Sequence, residues 1–202
     1  MRTIAISEEN KNLLDEFKKV LDNKEMSDAD IVDRYILFGT PFVFKNNEDK
    51  YYFLKREIAN FFGTSTSNVI MVGSAKLGFS IAPQKLWKLL DDDSDIDMVI
   101  ISEELFDDYW KQLFEFNINL TYRNEKEDEL YRDFLEYFFK GWIRPDKFPF
   151  KFDNKRKWFE FFNKISYGEY DKRKITGAIY RNEYFFRKYH EQNIRRLRLG
   201  GK

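Results

Sequence analysis

The sequence predicts an α+β fold: a small mixed sheet carrying a Gly-Ser motif and an Asp-x-Asp motif, with helices packed on it and a helical C-terminal part. Three observations lead there. Most of the chain places apolar residues at helical spacing, and only three short β-branched runs interrupt it. Those runs lie far apart, without the regular alternation of strands and helices that marks a long parallel sheet. A chain of 202 residues is also long enough for one solid core with a helical addition.

The elements follow in order. Residues 7–22 carry Leu13, Leu14, Phe17, Val20 and Leu21 on one helical face, with Ser7 the expected N-cap and Glu9 and Asn10 close behind. Ser27-Asp-Ala-Asp opens a second, short helix with Ile31, Val32, Tyr35 and Ile36 on its apolar side, ended by Gly39-Thr40-Pro41. A third helix covers 48–62, with Tyr52, Phe53, Ile58, Phe61 and Phe62 expected inside and Gly63 as its stop. Asn68–Val72 reads as the first strand. Residues 75–93 read as mixed loop and short helix broken at Pro83, and 95–101 as the second strand.

Ser102-Glu-Glu-Leu caps a helix to about residue 116. Further helices fall near 125–140 and 154–165, set apart by breaks at Gly141–Pro145 and Phe148-Pro149. Residues 174–180 form the third strand, 182–198 the last helix, and Gly200-Gly201-Lys202 a flexible end. The aromatic stripes Tyr131, Phe134, Tyr137, Phe138 and Trp158, Phe161, Phe162 have helical spacing and read as core. The chain thus divides into an N-terminal helical segment (1–47), a core (48–120) and a helical part (121–202) that completes it as one compact unit.

Composition excludes several classes. With 43% hydrophobic and 35% charged residues, the chain is well away from disorder. It has no Cys, so thiol catalysis, thiolate metal sites and disulfides are ruled out. His190 is the only histidine, which removes Ser-His-Asp and multi-histidine sites within one chain; in Arg187-Lys-Tyr-His190 it is expected on a helix surface. No apolar run reaches the ~20 residues of a membrane span, and a cytoplasmic protein is expected. Net charge is zero, yet residues 172–202 hold ten Lys/Arg against two Glu. Arg181, Arg187, Arg195, Arg196 and Arg198, interleaved with Tyr180, Tyr184 and Tyr189, read either as a face for a polyanion such as RNA or as an ordinary solvated face.

The chemistry concentrates in Val72-Gly73-Ser74 and Ser94-Asp95-Ile96-Asp97-Met98-Val99. Side chains alternate along a strand, so Asp95 and Asp97 share a face roughly 7 Å apart while Ile96 and Met98 point into the core. Paired carboxylates suit Mg²⁺, a hard cation that shares its shell with phosphates. Gly73 and Ser74 give a tight turn at a helix start, where backbone N–H groups hold an anion. Lys76 adds a point charge within reach of the same phosphates, and Ser80 is a further polar neighbour. These residues point to a nucleoside triphosphate.

Strand-Gly-Ser followed by Asp-apolar-Asp-apolar resembles the DNA polymerase β-like nucleotidyltransferase superfamily, in its minimal form. About 30 residues carry the resemblance directly. It implies an enzyme that moves a nucleoside monophosphate from a triphosphate such as ATP to a hydroxyl on an RNA end, a protein side chain or a small molecule. It further implies Mg²⁺ or Mn²⁺ at Asp95 and Asp97, and nucleotide binding by Gly73, Ser74 and Lys76. Relatives of this size work in bacterial toxin–antitoxin and phage-defence systems, so a protein partner from such a complex is implied as well. A catalytically inactive module that binds a nucleotide, RNA or a protein is the alternative.

Two departures stand out. The spacer from Ser74 to Asp95 holds 20 residues, roughly double the usual length. The extra stretch 81–93 brings Trp87, either a base-stacking ring or a structural one, Lys85 and Lys88 as phosphate partners, and the solvated run Asp91-Asp92-Asp93. Larger relatives carry a third acid on a later strand, where this chain offers Thr176, Gly177 and Ala178, with Glu183 beyond.

Overall fold

A computed structural model describes residues 2–120 and 122–200, with the backbone alone for residues 2–7. Among these residues eight α-helices surround one four-stranded sheet. The order is α1 (Arg2–Asp22), α2 (Asp28–Ile31), α3 (Glu48–Phe62), β1 (Val69–Val72), α4 (Gly73–Leu77), β2 (Ile96–Ile101), α5 (Glu103–Ile118), α6 (Glu125–Phe139), β3 (Trp142–Ile143), α7 (Asp153–Ile165), β4 (Ile175–Tyr180) and α8 (Glu183–Arg198). The fold is α+β with a mixed sheet, as the sequence predicts. None of these helices is long and apolar enough to cross a membrane.

Local chemistry explains most boundaries. Ser27 closes a capping box with Asp30, and the helix it starts passes into a π-helical turn over Val32–Leu37. Asn47, Ser102, Asn124 and Asn182 each accept a backbone N–H at the start of α3, α5, α6 and α8. Gly63 ends α3 in the left-handed conformation, where a side chain would be strained. The first helix starts earlier than its expected cap: Ser7 lies inside α1, since nothing from residue 2 onward breaks the helix. The Ser7 side chain and the end at Gly201-Lys202 lie outside the described residues.

Strand order is β1-β2-β4-β3. β1 and β2 run antiparallel with Val72 opposite Asp97, and β2 and β4 run parallel with Asp97 opposite Thr176 and Val99 opposite Ala178. β3 joins the outer edge of β4 antiparallel, with Trp142 opposite Tyr180. Directly paired residues share a face. One face therefore presents Val72, Asp97, Thr176, Ala178, Tyr180 and Trp142; the other presents Met71, Met98, Gly177, Ile179 and Ile143.

The second face closes on Leu54, Ile58, Phe106, Tyr109, Phe134, Trp158 and Phe162 from α3, α5, α6 and α7. The first face is covered in part by Phe17, Ile31, Val32, Phe186 and Ile194 from α1, α2 with the π-helical turn that follows it, and α8. Both cores draw residues from 1–47, 48–120 and 121–202 alike, so all three segments share the same packing.

Two expectations are corrected. In α3 the inward residues are Leu54, Ile58 and Ala59, while Tyr52, Phe53 and Phe61 are exposed. Aromatic size drew the expected stripe too wide; helical phase admits only the narrower one. Strand β3 was hidden in the break at Gly141–Pro145, because two residues show no period of their own. It forms only because β4 offers an unpaired edge beside it.

Candidate functional site

The chain leaves β1 at Val72 and turns at Gly73 into the short α4, which Gly78 closes with φ 86°. Gly73 has φ 73°, and a Cβ there would lie 2.7 Å from Asp97 Oδ2. Only glycine satisfies both demands, so the Ser74 turn can lie directly against the Asp97 carboxylate.

Asp97 extends from the sheet face between Val72 and Thr176, and the Thr176 hydroxyl donates to its Oδ1 at 2.7 Å. Burial pushes the Asp97 carboxyl above its usual range, while the Thr176 hydroxyl and the Arg144 charge pull it back. Asp95 is more open and stands 4.0 Å from Lys174 Nζ. Its loop is held by Arg173, a nearly buried guanidinium that donates to the carbonyls of Asp91 at 2.5 Å and Ser94 at 2.8 Å. Ser94 Oγ donates to Asp91 at 2.6 Å and tightens the same loop. Arg173 is thus a positioning residue for Asp95.

A cleft of about 710 Å³ opens over this face. At its aspartate end Gly73, Ser74, Lys85, Lys88, Arg144 and Thr176 line it. The stretch expected as an insertion forms a small hairpin at the rim: Ser80 N donates to Lys88 O at 2.8 Å and Trp87 N to Ser80 O at 2.9 Å. Ser80 Oγ accepts from Ala82 N, so its role is to shape that hairpin. Lys85 at the tip has no ion pair among the described residues, while Lys88 pairs with Asp91 at 2.6 Å. Arg144 follows β3 and is held by Asp146 through two hydrogen bonds, of 3.2 and 2.8 Å.

The other sequence candidates separate clearly. Lys76 lines the cleft, yet its ammonium donates to Phe38 O at 2.5 Å and to Gly39 O. Burial, helped by Lys55, pulls that ammonium down to about 8. Lys76 therefore has backbone partners where a free phosphate ligand was expected. Trp87 is structural: it packs on Phe79 under Lys18, outside the cleft lining. Of the acidic run, Asp91 is bonded within the loop, Asp92 is exposed, and Asp93 reaches the cleft.

His190 is buried, which corrects the surface position expected for it, because α8 turns that side toward Tyr180 and Phe186. Tyr137, expected in the core, is exposed at the cleft. The arginines of the C-terminal part are largely spent on the chain itself. Arg181 pairs with Asp107, Arg187 with Asp33 and Glu183, and both Arg195 and Arg198 with Asp28. Arg196 bonds Asn193 and lines the cleft.

No cluster of three or more His, Cys, Asp or Glu side chains suited to a metal occurs among the described residues. Thr176 occupies the strand position beside Asp97, and Glu183 is turned to Arg187. The donor set at the site is two carboxylates and a hydroxyl. That all-oxygen set fits Mg²⁺, which uses one or two carboxylates and completes its shell with water and phosphate. The half-buried Asp97 carboxyl, raised by desolvation, is a group that a cation would stabilise in its charged form.

Sequence reasoning missed Arg144 and Arg173. Neither belongs to a periodic pattern or motif, and Pro145 beside Arg144 marks only a break. Among known proteins, the chain matches no family model, no curated protein and no solved structure.

Proposed function

We propose that this chain is a Mg²⁺-dependent nucleotidyltransferase of the DNA polymerase β-like type, moving a nucleoside monophosphate from a triphosphate to a hydroxyl acceptor. The observation that carries the reading is the Gly73 turn pressed against Asp97, with Asp95 in the loop just before β2 lining the same cleft. A turn-and-carboxylate pair of this kind puts anion-binding N–H groups next to cation-binding oxygens, as a metal–triphosphate requires.

Asp95 and Asp97 would hold the cation, which when bound neutralises charge on the reacting phosphates. Ser74 Oγ and the N–H groups that follow Gly73 orient the terminal phosphates. Lys85 at the rim and Arg144, whose charges both act on Asp97, draw the polyanion into the cleft. Thr176 fixes the Asp97 carboxylate through Oδ1, and Arg173 fixes the loop that presents Asp95. The acceptor hydroxyl belongs to an RNA end, a protein side chain or a small molecule. By the resemblance alone, the setting is a cytoplasmic bacterial toxin–antitoxin or phage-defence system with a protein partner.

A second reading is favoured by Thr176 at the place where larger relatives carry a third acid. It makes the chain a non-catalytic module that binds a nucleotide. Incubation with each α-labelled triphosphate, Mg²⁺ or Mn²⁺ and a cell extract separates the two. Transfer by the wild type that falls to background in Asp95→Ala/Asp97→Ala is the expected result. Triphosphate binding without transfer supports the module; equal transfer by wild type and variant removes both readings.

A further inference from the structure

The cleft has a second end. β4 carries its floor from Thr176 beside Asp97, past the small Ala178, to Tyr180, four residues and roughly 13 Å along the strand. There rings and amides enter the lining, Tyr137, Trp142, Tyr180, Tyr189, His190 and Asn193. The charged groups beside them have partners on the chain, Lys140 with Glu136 at 2.6 Å and Arg196 with Asn193 at 3.2 Å. Trp142 stacks on Tyr180 at 5.7 Å and 20°, meets Tyr189 edge-on at 5.4 Å, and lies 4.6 Å from the exposed Tyr137.

Two of these side chains are incomplete. Trp142 and His190 are 9% and 7% exposed, and neither the indole Nε1 nor either imidazole nitrogen has a hydrogen-bond partner. Buried polar atoms are nearly always paired, and an orphan keeps its desolvation penalty without the bond that would offset it. Burial also pulls the His190 imidazole down to about 3, so it is neutral and offers one donor and one acceptor. The unpaired atoms at this end of the cleft are therefore an uncharged set of donors and an acceptor between aromatic walls.

That set discriminates among ligands. A phosphate offers acceptors but no flat face and no donor for the imidazole, and an aliphatic group would leave Trp142 and His190 unpaired. A flat heteroaromatic ring with donors and acceptors on its edge answers both the walls and the orphans. We propose that this end of the cleft is a nucleobase pocket, in which the ring packs among Tyr137, Trp142 and Tyr189 and its edge bonds Trp142 Nε1 and His190. The nitrogens are covered from solvent, so Tyr137, the exposed wall, swings aside to admit the base. The inference rests on the reading above: the base belongs to the triphosphate whose phosphates lie at Ser74, Asp95 and Asp97.

The test is calorimetric titration of the whole chain, in Mg²⁺, with each of the four ribonucleoside triphosphates and, separately, inorganic tripolyphosphate. Trp142→Phe and His190→Phe keep the rings and delete the nitrogens; Tyr137→Ala removes the exposed wall with little risk to folding, and circular dichroism checks all three. The expected result is one preferred base, bound about tenfold more weakly by each variant, with tripolyphosphate binding unchanged. Variants that bind the triphosphates as the wild type does overturn the pocket while leaving the phosphate site in place; variants that lose triphosphate and tripolyphosphate alike overturn it too, because their effect then reaches beyond the base. A wild type that binds neither probe removes the nucleotidyltransferase reading and the pocket together.

Discussion

A side chain at Gly73 would meet two obstacles at once, a backbone at φ 73° and Asp97 Oδ2 at 2.7 Å. The first costs about 1–2 kcal/mol for an L-residue. The second cannot relax without moving the carboxylate, which Thr176 holds from the other side. Gly73→Ala is expected to lower the melting temperature by a few degrees and to weaken Mg²⁺-dependent triphosphate binding by more than tenfold. Calorimetry reads both effects. A variant that binds as tightly as the wild type would show that the close approach has no part in the site.

At the scale of elements, β4 is the strand that both the core and the cleft depend on. Its Gly177 faces α7 so closely that a Cβ would lie 2.3 Å from the Phe162 ring and 2.7 Å from Trp158. Gly177→Ala is expected to cost about 1–3 kcal/mol through overpacking, read by urea unfolding. Adding Phe162→Leu should recover part of the loss; a double variant no better than the single one would place the strain elsewhere. The last helix behaves differently from its composition. Its arginines anchor α8 to α2 through Asp28 and to the π-helical turn after it through Asp33, so the charge that looked available to a polyanion is largely consumed in helix packing.

For the whole molecule, packing α8 against the sheet seals a histidine inside. His190 titrates near 6.5 when exposed and at about 3 in the fold. Between those values the unfolded chain takes up a proton that the folded chain does not. Stability is therefore lost as pH falls through that window, by up to about 1.4 kcal/mol per pH unit. Compared with His190→Phe, the wild type should lose stability more steeply from pH 6.5 to 4.5, as followed by urea midpoints. The subtraction removes the carboxylates common to both proteins. Parallel profiles would mean that the imidazole is not held neutral.

What the sequence determined by itself is local. Ser27 and Ser102 bond N–H groups three residues ahead, and Gly63 and Gly73 meet their own backbone demands, so these starts and stops were legible, whereas the start of α1 was not. The Gly73-Ser74 and Asp95-x-Asp97 motifs were legible as well, because strand alternation fixes their faces from neighbouring residues. The strand order was not. Thr176 meets Asp97 across 79 positions and Arg173 meets Asp91 across 82, contacts that exist only once β4 lies beside β2. The same pairing brings β3 to the sheet edge, delivers Arg144 to the aspartates and places Trp142 in the cleft near His190. A side chain's partner across a sheet depends on which strands pair, and no local pattern records that choice.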